Sequence, residues 1–528
     1  MLQSYDEVSD PSLGPARVAN LRQVMAARGL DGYIVPRADE HQGEYVPASA
    51  ARLGWLSGFT GSAGTCVVLA GAAALFVDGR YTTQAREQAD PATFEVQKVP
   101  EARISAWLTD KAKPGARIGY DSRLLTLAQV EAIEKGIADA GIALVAEPEN
   151  LVDAVWKDRP APPLGAVVPQ PIELAGVASE RKIADLQETL GKAHADAIVL
   201  TLPDSIAWLL NIRGSDVPRT PFPLSFAVVP ATGRPELFID ARKVGDNVRG
   251  HIAAVADIKA PADLEARLAS LGAARAKVRI DPDTAGKWLF DRLKARGATP
   301  APGPDPCQLA KAKKSKEELA GARAAHARDG VAMARFLAWL DREAPSGKLD
   351  EIAAAEQLQA FRRGTGMLKD LSFEAISAAG PHAAIPHYRV SRQSNLRIEP
   401  NSVYLIDSGG QYQDGTTDIT RTIAVGDPGG EARQRFTLVL KGMIAVSVAR
   451  FPKGTRGCDL DPFARRALWA AGLDFDHGTG HGVGSYLSVH EGPQRIAKTG
   501  VAVLEPGMII SNEPGYYKEG AYGIRIEN

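Results

Sequence analysis

YLIDSGGQYQDGTTDITRT, residues 404–422, places two aspartates on strand-like runs joined by turn residues. Residues 403–407 are strand formers that end on the charge of Asp407 and meet Gly409 and Gly410. From Asp418 to Val425 the chain alternates with period two, so Asp418, Thr420 and Thr422 share a face. Asp414 and Gly415 between them signal a turn. Antiparallel pairing of the two runs would bring Asp407 and Asp418 to one side.

IISNEPGYYKEGAYGIRIEN, residues 509–528, follows the same logic. An apolar run reaches Glu513 just before Pro514 and Gly515, and a second run, Ile524-Arg525-Ile526-Glu527, follows Gly520 and Gly523. Arg525 and Glu527 share one strand face and the isoleucines the other. A buried carboxylate beside an arginine is expected to stay ionised, as a metal ligand must. HGTGHGVGSYLSVHEGP, residues 477–493, supplies histidines. His477 and His481 have the spacing of a helical metal pair, but four glycines in the first eight residues are too costly for a helix. A loop with close backbone approach fits better.

Asp407, Asp418, His481, Glu513 and Glu527 together read as the ligands of a two-metal hydrolytic site. Four carboxylates and one imidazole are a hard, oxygen-rich set that suits Mn²⁺ first, with Co²⁺, Fe²⁺ or Zn²⁺ as alternatives. Without cations the set is too anionic to sit together. Two metals about 3.5–4 Å apart would neutralise it and bring the pKa of a shared water to roughly 7. Taken singly, each residue has an ordinary role: an aspartate at a strand end caps a turn, a glutamate before Pro-Gly is solvated, a glycine-flanked histidine sits in a loop. The argument rests on the three segments occurring together in this order.

These segments resemble the motifs of the pita-bread metallopeptidases (M24), the family that includes methionine aminopeptidase, prolidase and aminopeptidase P, in its long three-domain form. The resemblance covers nearly the whole chain. It implies that Asp407 binds one metal, that Asp418 and Glu527 bridge, and that His481 and Glu513 bind the second. Glu513 would also be the general base. His387, in Ile385-Pro386-His387-Tyr388, matches a histidine near the scissile amide, and His490 one that contacts the scissile carbonyl. Arg525 resembles the arginine that orients a ligand carboxylate. Attack on a carbonyl develops an oxyanion that needs donors, and an imidazole can supply one and shuttle a proton. His382 and His477 are expected to support the loops. Family members continue past the last ligand, so a chain ending at Asn528 is expected to be truncated, with Glu527 on a fraying end and weak stability or activity.

The rest of the chain reads as scaffold. Its 528 residues suggest about three domains. A net charge of −1 provides no drive towards nucleic acid or membrane. Three cysteines, Cys66, Cys307 and Cys458, form no disulfide framework, which favours a reducing compartment. The polar N-terminus is no secretory signal, and no apolar run is long enough to span a bilayer, so cytoplasm is expected.

An internal repeat organises the first 310 or so residues. Helix pattern, strand (residues 30–35), a Trp55-Leu56 segment and a strand ending at Asp78 recur as helix pattern, strand (195–200), Trp208-Leu209 and a strand ending at Asp240. Proline-rich connectors, residues 159–171 and 298–306, separate the parts. The expected architecture is therefore α/β and α+β multidomain. Two creatinase-like α/β domains, residues 1–160 and 161–308, precede a pita-bread catalytic domain, 309–528. Asp39 and His41 are poor metal candidates, and residues 58–64 lack the lysine of a P-loop and suit a closely packed turn. Ser315 to Glu318 is a capping box before a long helix with Leu319, Val331, Phe336, Leu337 and Leu340 as its buried stripe, although Gly321 and Gly330 weaken it. Lys311, Lys313, Lys314 and Lys316 read as a solvated helix start. A second helix is expected over residues 350–363, with Ile352, Leu358 and Phe361 inward.

The resemblance implies a metal-dependent aminopeptidase that hydrolyses the N-terminal Xaa-Pro bond of peptides whose second residue is proline. It also implies a homodimer, and no nucleic-acid or membrane partner is expected. The Xaa-Pro bond has no N–H, so activation must fall on the carbonyl and the water. A prolidase acting on dipeptides is the alternative, although two repeat copies favour the longer enzyme. A non-catalytic peptide-binding relative would lack the ligands that are present here.

Overall fold

A computed structural model describes residues 3–528. It divides into two compact units, one of residues 8–170 and 177–307, the other of residues up to Glu7, 171–176 and 308–528.

The first unit holds the repeat. Helix α1 (Gly14–Ala27) precedes a six-stranded sheet of β1 (Gly32–Pro36), β2 (Thr65–Leu69), β3 (Ala73–Val77), β4 (Glu95–Lys98), β5 (Arg117–Asp121) and β6 (Ala143–Glu147), in the order β4-β3-β2-β1-β5-β6. Helix α2 (Ser179–Lys192) precedes β7 (Ala197–Leu200), β8 (Phe226–Pro230), β9 (Glu236–Phe238), β10 (Asp257–Lys259), β11 (Lys277–Ile280) and β12 (Thr299–Pro302), in the order β10-β9-β8-β7-β11-β12. The orders correspond position by position, and in both the central hairpins are antiparallel while the outer pairs are parallel. The apolar runs of the central strands β1, β2, β3, β7 and β8 are continuous because both faces are covered. Tyr33 and Val35 enter one core and Ile34 the other; Leu75 and Val77 oppose Ala74 and Phe76 likewise. The Trp-Leu segments are helices, Arg52–Ser57 and Pro203–Leu209. Gly58 ends the first of them at φ 83°, where a Cβ would lie 2.4 Å from the Gln88 carbonyl, so that turn is a close-packing device.

The second unit opens with α3 (Lys316–Glu343), whose capping box of Ser315 and Glu318 is formed. Its buried stripe runs through Ala322, Ala325, Ala332, Met333, Phe336 and Leu340, and Val331 faces solvent. Helix α4 (Glu351–Arg363) buries Leu358 as expected, but also Glu351 and Arg362, while Ile352 and Phe361 are only half-buried. The solvated reading of the lysines holds for Lys316 and fails for Lys311 and Lys314, which are buried on Glu491. The charges were visible in the sequence; the carboxylate that neutralises them lies 180 and 177 residues away.

Strands β13 (Ile376–Ala379), β14 (Ser402–Ser408) and β15 (Ile419–Val425) form an antiparallel sheet. Helices α5 (Gly429–Ser447) and α6 (Gly457–Trp469) follow, then β16 (Gly480–Gly482), β17 (Glu491–Ile496), β18 (Gly515–Lys518) and β19 (Tyr522–Arg525). Tyr404 and Ile406 pack with Phe336, Leu340 and Leu358, whereas Ile524 and Ile526 pack with Val439, Ala464 and Leu468. Alternation then sends Leu405, Asp407, Arg525 and Glu527 to the faces away from those helices. Residues 3–7 belong to this unit, with the Gln3 amide exchanging hydrogen bonds with the Ala375 backbone and Tyr5 buried against Ile376 and Leu405.

Candidate metal centre

The five acidic and imidazole side chains come from neighbouring chain segments. In the β14–β15 ladder Asp407 faces Thr420, and Asp418 lies two residues before Thr420 on the same face. A short hairpin, Gly410–Tyr412 with Gly415–Thr416, fills the connection, so the Asp414-Gly415 turn belongs to it. Glu527 N–H donates to Thr420 O. Beyond it, Asn512 and Asn528 exchange both backbone hydrogen bonds, in the register set by Gly515 opposite Arg525. Glu513 and Glu527 therefore face each other as a non-hydrogen-bonded pair, the arrangement in which side chains come closest. On the far side Glu513 N–H donates to Thr479 O and Ser511 N–H to His481 O. Residues 508–513, expected as a strand, form no regular strand: beside the bonds above they make one isolated bridge, Ile510 to Gly482, and the regular hairpin begins at Gly515.

Donor atoms converge accordingly. Asp407, Asp418 and Glu527 offer one group within 4.8 Å, His481, Glu513 and Glu527 a second, and Asp418, His481 and His490 a third. Glu527, Asp418 and His481 each belong to two groups. His481 Nδ1 faces the Gly482 carbonyl at 2.9 Å, leaving Nε2 3.3 Å from Asp418 and 3.2 Å from Glu513. Thr420 Oγ1 donates to Glu527 at 2.7 Å and Ser511 Oγ to Glu513 at 3.0 Å.

Arg525 is buried and donates to Asp407 Oδ2 at 2.7 Å, to the Pro386 carbonyl at 3.2 Å and to Tyr517 Oη at 2.7 Å. It thus ties the segment bearing His387 to the carboxylate. Tyr517 had a sequence signal that went unused: Glu513, Gly515 and Tyr517 alternate on one face. Burial lowers the His477 pKa to about 4. The neutral ring then donates from Nδ1 to Gly478 O and accepts at Nε2 from Tyr517, which in turn accepts from Arg525. His382 packs on Tyr388 at 4.2 Å and meets the buried Glu351 at 2.8 Å. Both histidines brace loops.

The charges do not balance within the protein. Burial, then Asp418 and Glu513, pushes Asp407 up to about 7 against the pull of Arg525. Burial and the same crowd of carboxylates raise Glu527 well above its ordinary value. Against the cost of burial, hydrogen bonds donated to Asp418 and Glu513 raise His481, and the bond from His481 in turn holds Glu513 well below the usual carboxylate range. Asp407 Oδ1 and Glu527 Oε1 are buried with no hydrogen-bond partner among the described residues. Unpaired buried carboxylate oxygens are costly. Divalent cations bound at this point would satisfy both atoms and the charge, so the donor set fits the two ions the motifs imply. Elsewhere, Asp39 Oδ1 accepts from the His41 and Gly43 N–H groups and His41 meets the Thr201 carbonyl, a turn and not a ligand pair.

Four carboxylates and a histidine brought together from adjacent segments are the donor set of a metallopeptidase. The chain matches Metallopeptidase family M24 over residues 320–528 and creatinase/prolidase N-terminal domains over 17–154 and 158–318. A probable Xaa-Pro aminopeptidase P from Aspergillus fumigatus is 42% identical over 530 residues, covering 97% of this chain and 80% of that protein. The crystal structure of an X-prolyl aminopeptidase from Caenorhabditis elegans, described as a cytosolic enzyme with a di-nuclear active site, superposes with a TM-score of 0.93 at 37% identity, covering 98% of this chain and 87% of that one. A prolidase from Pyrococcus horikoshii shares the fold over 66% of this chain and 94% of its own, at a TM-score of 0.52 and 23% identity. This chain belongs to metallopeptidase family M24, with two creatinase/prolidase N-terminal domains ahead of the catalytic one.

Proposed function

We propose that this protein is a metal-dependent aminopeptidase that hydrolyses the N-terminal Xaa-Pro bond of peptides. The observation that carries the reading is the convergence of Asp407, Asp418, His481, Glu513 and Glu527 with two unpaired buried oxygens among them. Similarity to Xaa-Pro aminopeptidases along 97% of the chain supports the substrate class. Asp407 would hold one ion, His481 and Glu513 the other, with Asp418 and Glu527 shared. Two divalent ions held there lower the pKa of water and polarise a carbonyl. The oxygen-rich donor set favours Mn²⁺.

The chain's own groups do the rest. Glu513, fixed by Ser511 and His481, takes the proton of the attacking water. His490, its ring 4.3 Å from that of His481, donates to the carbonyl oxygen as negative charge develops there. His387 stands by the scissile amide, and Arg525 fixes both its segment and Asp407. A cytosolic homodimer with domain limits near residues 160 and 308 completes the proposal. Among the described residues no helix is long and apolar enough to cross a membrane.

After loading with Mn²⁺, the protein is expected to release alanine from Ala-Pro-Ala and not from Ala-Ala-Ala. A chelator should abolish the release, and Asp418→Asn should lower kcat by at least about a hundredfold, beyond the loss of one orienting contact. Faster cleavage of the dipeptide Ala-Pro than of the tripeptide would make it a prolidase. Unchanged activity in Asp418→Asn would remove the metal-centre assignment.

A further inference from the structure

Glu491 follows His490 in the chain and takes no part in the mechanism above, yet its side chain is 0% exposed. Lys311 Nζ donates to its Oε2 at 2.8 Å, and Lys314 Nζ donates to its Oε1 and, at 2.9 Å, to the Lys311 carbonyl. The two lysine side chains are 2% and 0% exposed. Gln494 Nε2 also donates to Oε1, at 3.3 Å. Three charged groups are thus withdrawn from water at one point of the catalytic unit.

Such an arrangement is a poor way to gain stability. Desolvation costs several kcal/mol per ion, and apolar side chains of similar volume often stabilise the same space as well or better. Its value lies in geometry. Each carboxylate oxygen is held by a different ammonium, so Glu491 has neither translation nor rotation left. Its backbone is fixed too, paired with Gly482 where β16 meets β17. A Cβ on Gly482 would lie 2.5 Å from the Glu491 carbonyl, which shows how tightly the two segments approach. Lys314 is anchored in turn, its N–H donating to the Gly507 carbonyl at 3.0 Å. One neighbour of this locked pair is His481 and the other is His490, and their rings meet edge to face at 4.3 Å.

We infer that Lys311 and Lys314 are positioning residues for His490, acting through Glu491. What His490 does when so placed rests on the peptidase reading; the placement itself rests on the contacts above. A donor to a developing oxyanion must be held within about 0.5 Å, and a misplacement of about 1 Å costs on the order of a hundredfold in rate.

Lys314→Met tests this without stripping the carboxylate, since Lys311 remains on Oε2. In the metal-free protein the imidazole ring resonances of His490, assigned by their loss in His490→Ala, should shift. With Mn²⁺ and Ala-Pro-Ala, kcat should fall about tenfold to a hundredfold with KM little changed. In the His490→Ala background the same substitution should cost less than about twofold, because the two act as one unit. An unmoved His490 resonance, or equal losses in both backgrounds, would overturn the inference. A shifted resonance in a protein that never cleaves Xaa-Pro peptides would leave the positioning intact and remove the peptidase reading instead. Should Lys314→Met not fold, Lys311→Met runs the same cycle from the other oxygen; if neither folds, the lysines are structural and the inference falls.

Discussion

Asp305 shows how burial makes one residue a pH sensor of stability. It is buried, its Oδ1 accepts the Cys307 N–H at 2.8 Å, and its own N–H donates to Asp281 at 2.8 Å. Burial pushes its carboxyl up to about 6, with Asp204 and Asp281 adding to the effect. In an unfolded chain the same group titrates near 3.9. Between about pH 4 and 6 the native state therefore holds more protons than the unfolded one, and stability falls as pH rises through that window. The loss amounts to about 3 kcal/mol. Opening free energies of the β11 amides, from hydrogen exchange at pH 4 and pH 7, should drop by that much more in the wild type than in Asp305→Asn. Parallel profiles would contradict the shift. Legibility at this scale was uneven. Asp407, Asp418, His481, Glu513 and Glu527 stood out because turn and strand patterns are local. Lys311, Lys314, Glu351 and Arg362 did not, because a charged residue's burial is decided by partners far along the chain: Glu491 for the lysines, Asp329 for Arg362.

Two glycines in α3 show the same division for an element. Gly321 and Gly330 look alike in sequence, each a weak point in a helical pattern. In the fold they differ. A Cβ on Gly321 would lie 2.2 Å from the Asp414 carbonyl and 3.1 Å from its carbonyl carbon, so the glycine lets α3 touch the hairpin at Asp414-Gly415. A Cβ on Gly330 would meet nothing within 4 Å. Gly330→Ala should thus stabilise the protein by up to about 1 kcal/mol through helix propensity, with activity unchanged. Gly321→Ala should destabilise it by about 1–3 kcal/mol, since backbone must move. Thermal denaturation of both variants checks the pair, and equal effects would refute the packing account. Strand patterning was the more legible part: the odd–even split of Ile524 and Ile526 from Arg525 and Glu527 follows from pleating alone, and the cores respect it. The Asn512–Asn528 pairing that sets Glu513 opposite Glu527 was not legible, because residues 508–513 carry a strand-like pattern without a regular strand of their own.

For the molecule as a whole, the repeat was legible because two sheets of the same order need the same string of elements, and the helix, strand, Trp-Leu and Asp landmarks recur at matching places. The energetic role of the metal centre emerges only with the sheet assembled. Without a cation the cluster is crowded: against the cost of burial, Asp418 and Glu513 raise His481, burial and the neighbouring carboxylates raise Glu527 well above its ordinary value, and burial pushes Asp407 up to about 7. A metal ligand must be deprotonated, so in the proposed centre any protons held by these three would be given up. Ion uptake at pH 7 therefore releases protons, and apparent affinity should rise with pH between about 6 and 8. Because the unfolded chain has no such constellation, binding also stabilises the fold, by about 2.7 kcal/mol at a hundredfold excess over Kd. Hydrogen exchange with and without Mn²⁺ should show this gain in the amides of β14, β15, β18 and β19, with β1 and β7 as internal reference. The gain at fixed Mn²⁺ should be larger at pH 8 than at pH 6. The sign is set by which state holds more protons: the ion-free form does, so raising pH favours the loaded form. A gain that shrinks as pH rises would mean that His481 and the buried carboxylates are not the groups that take up the ion.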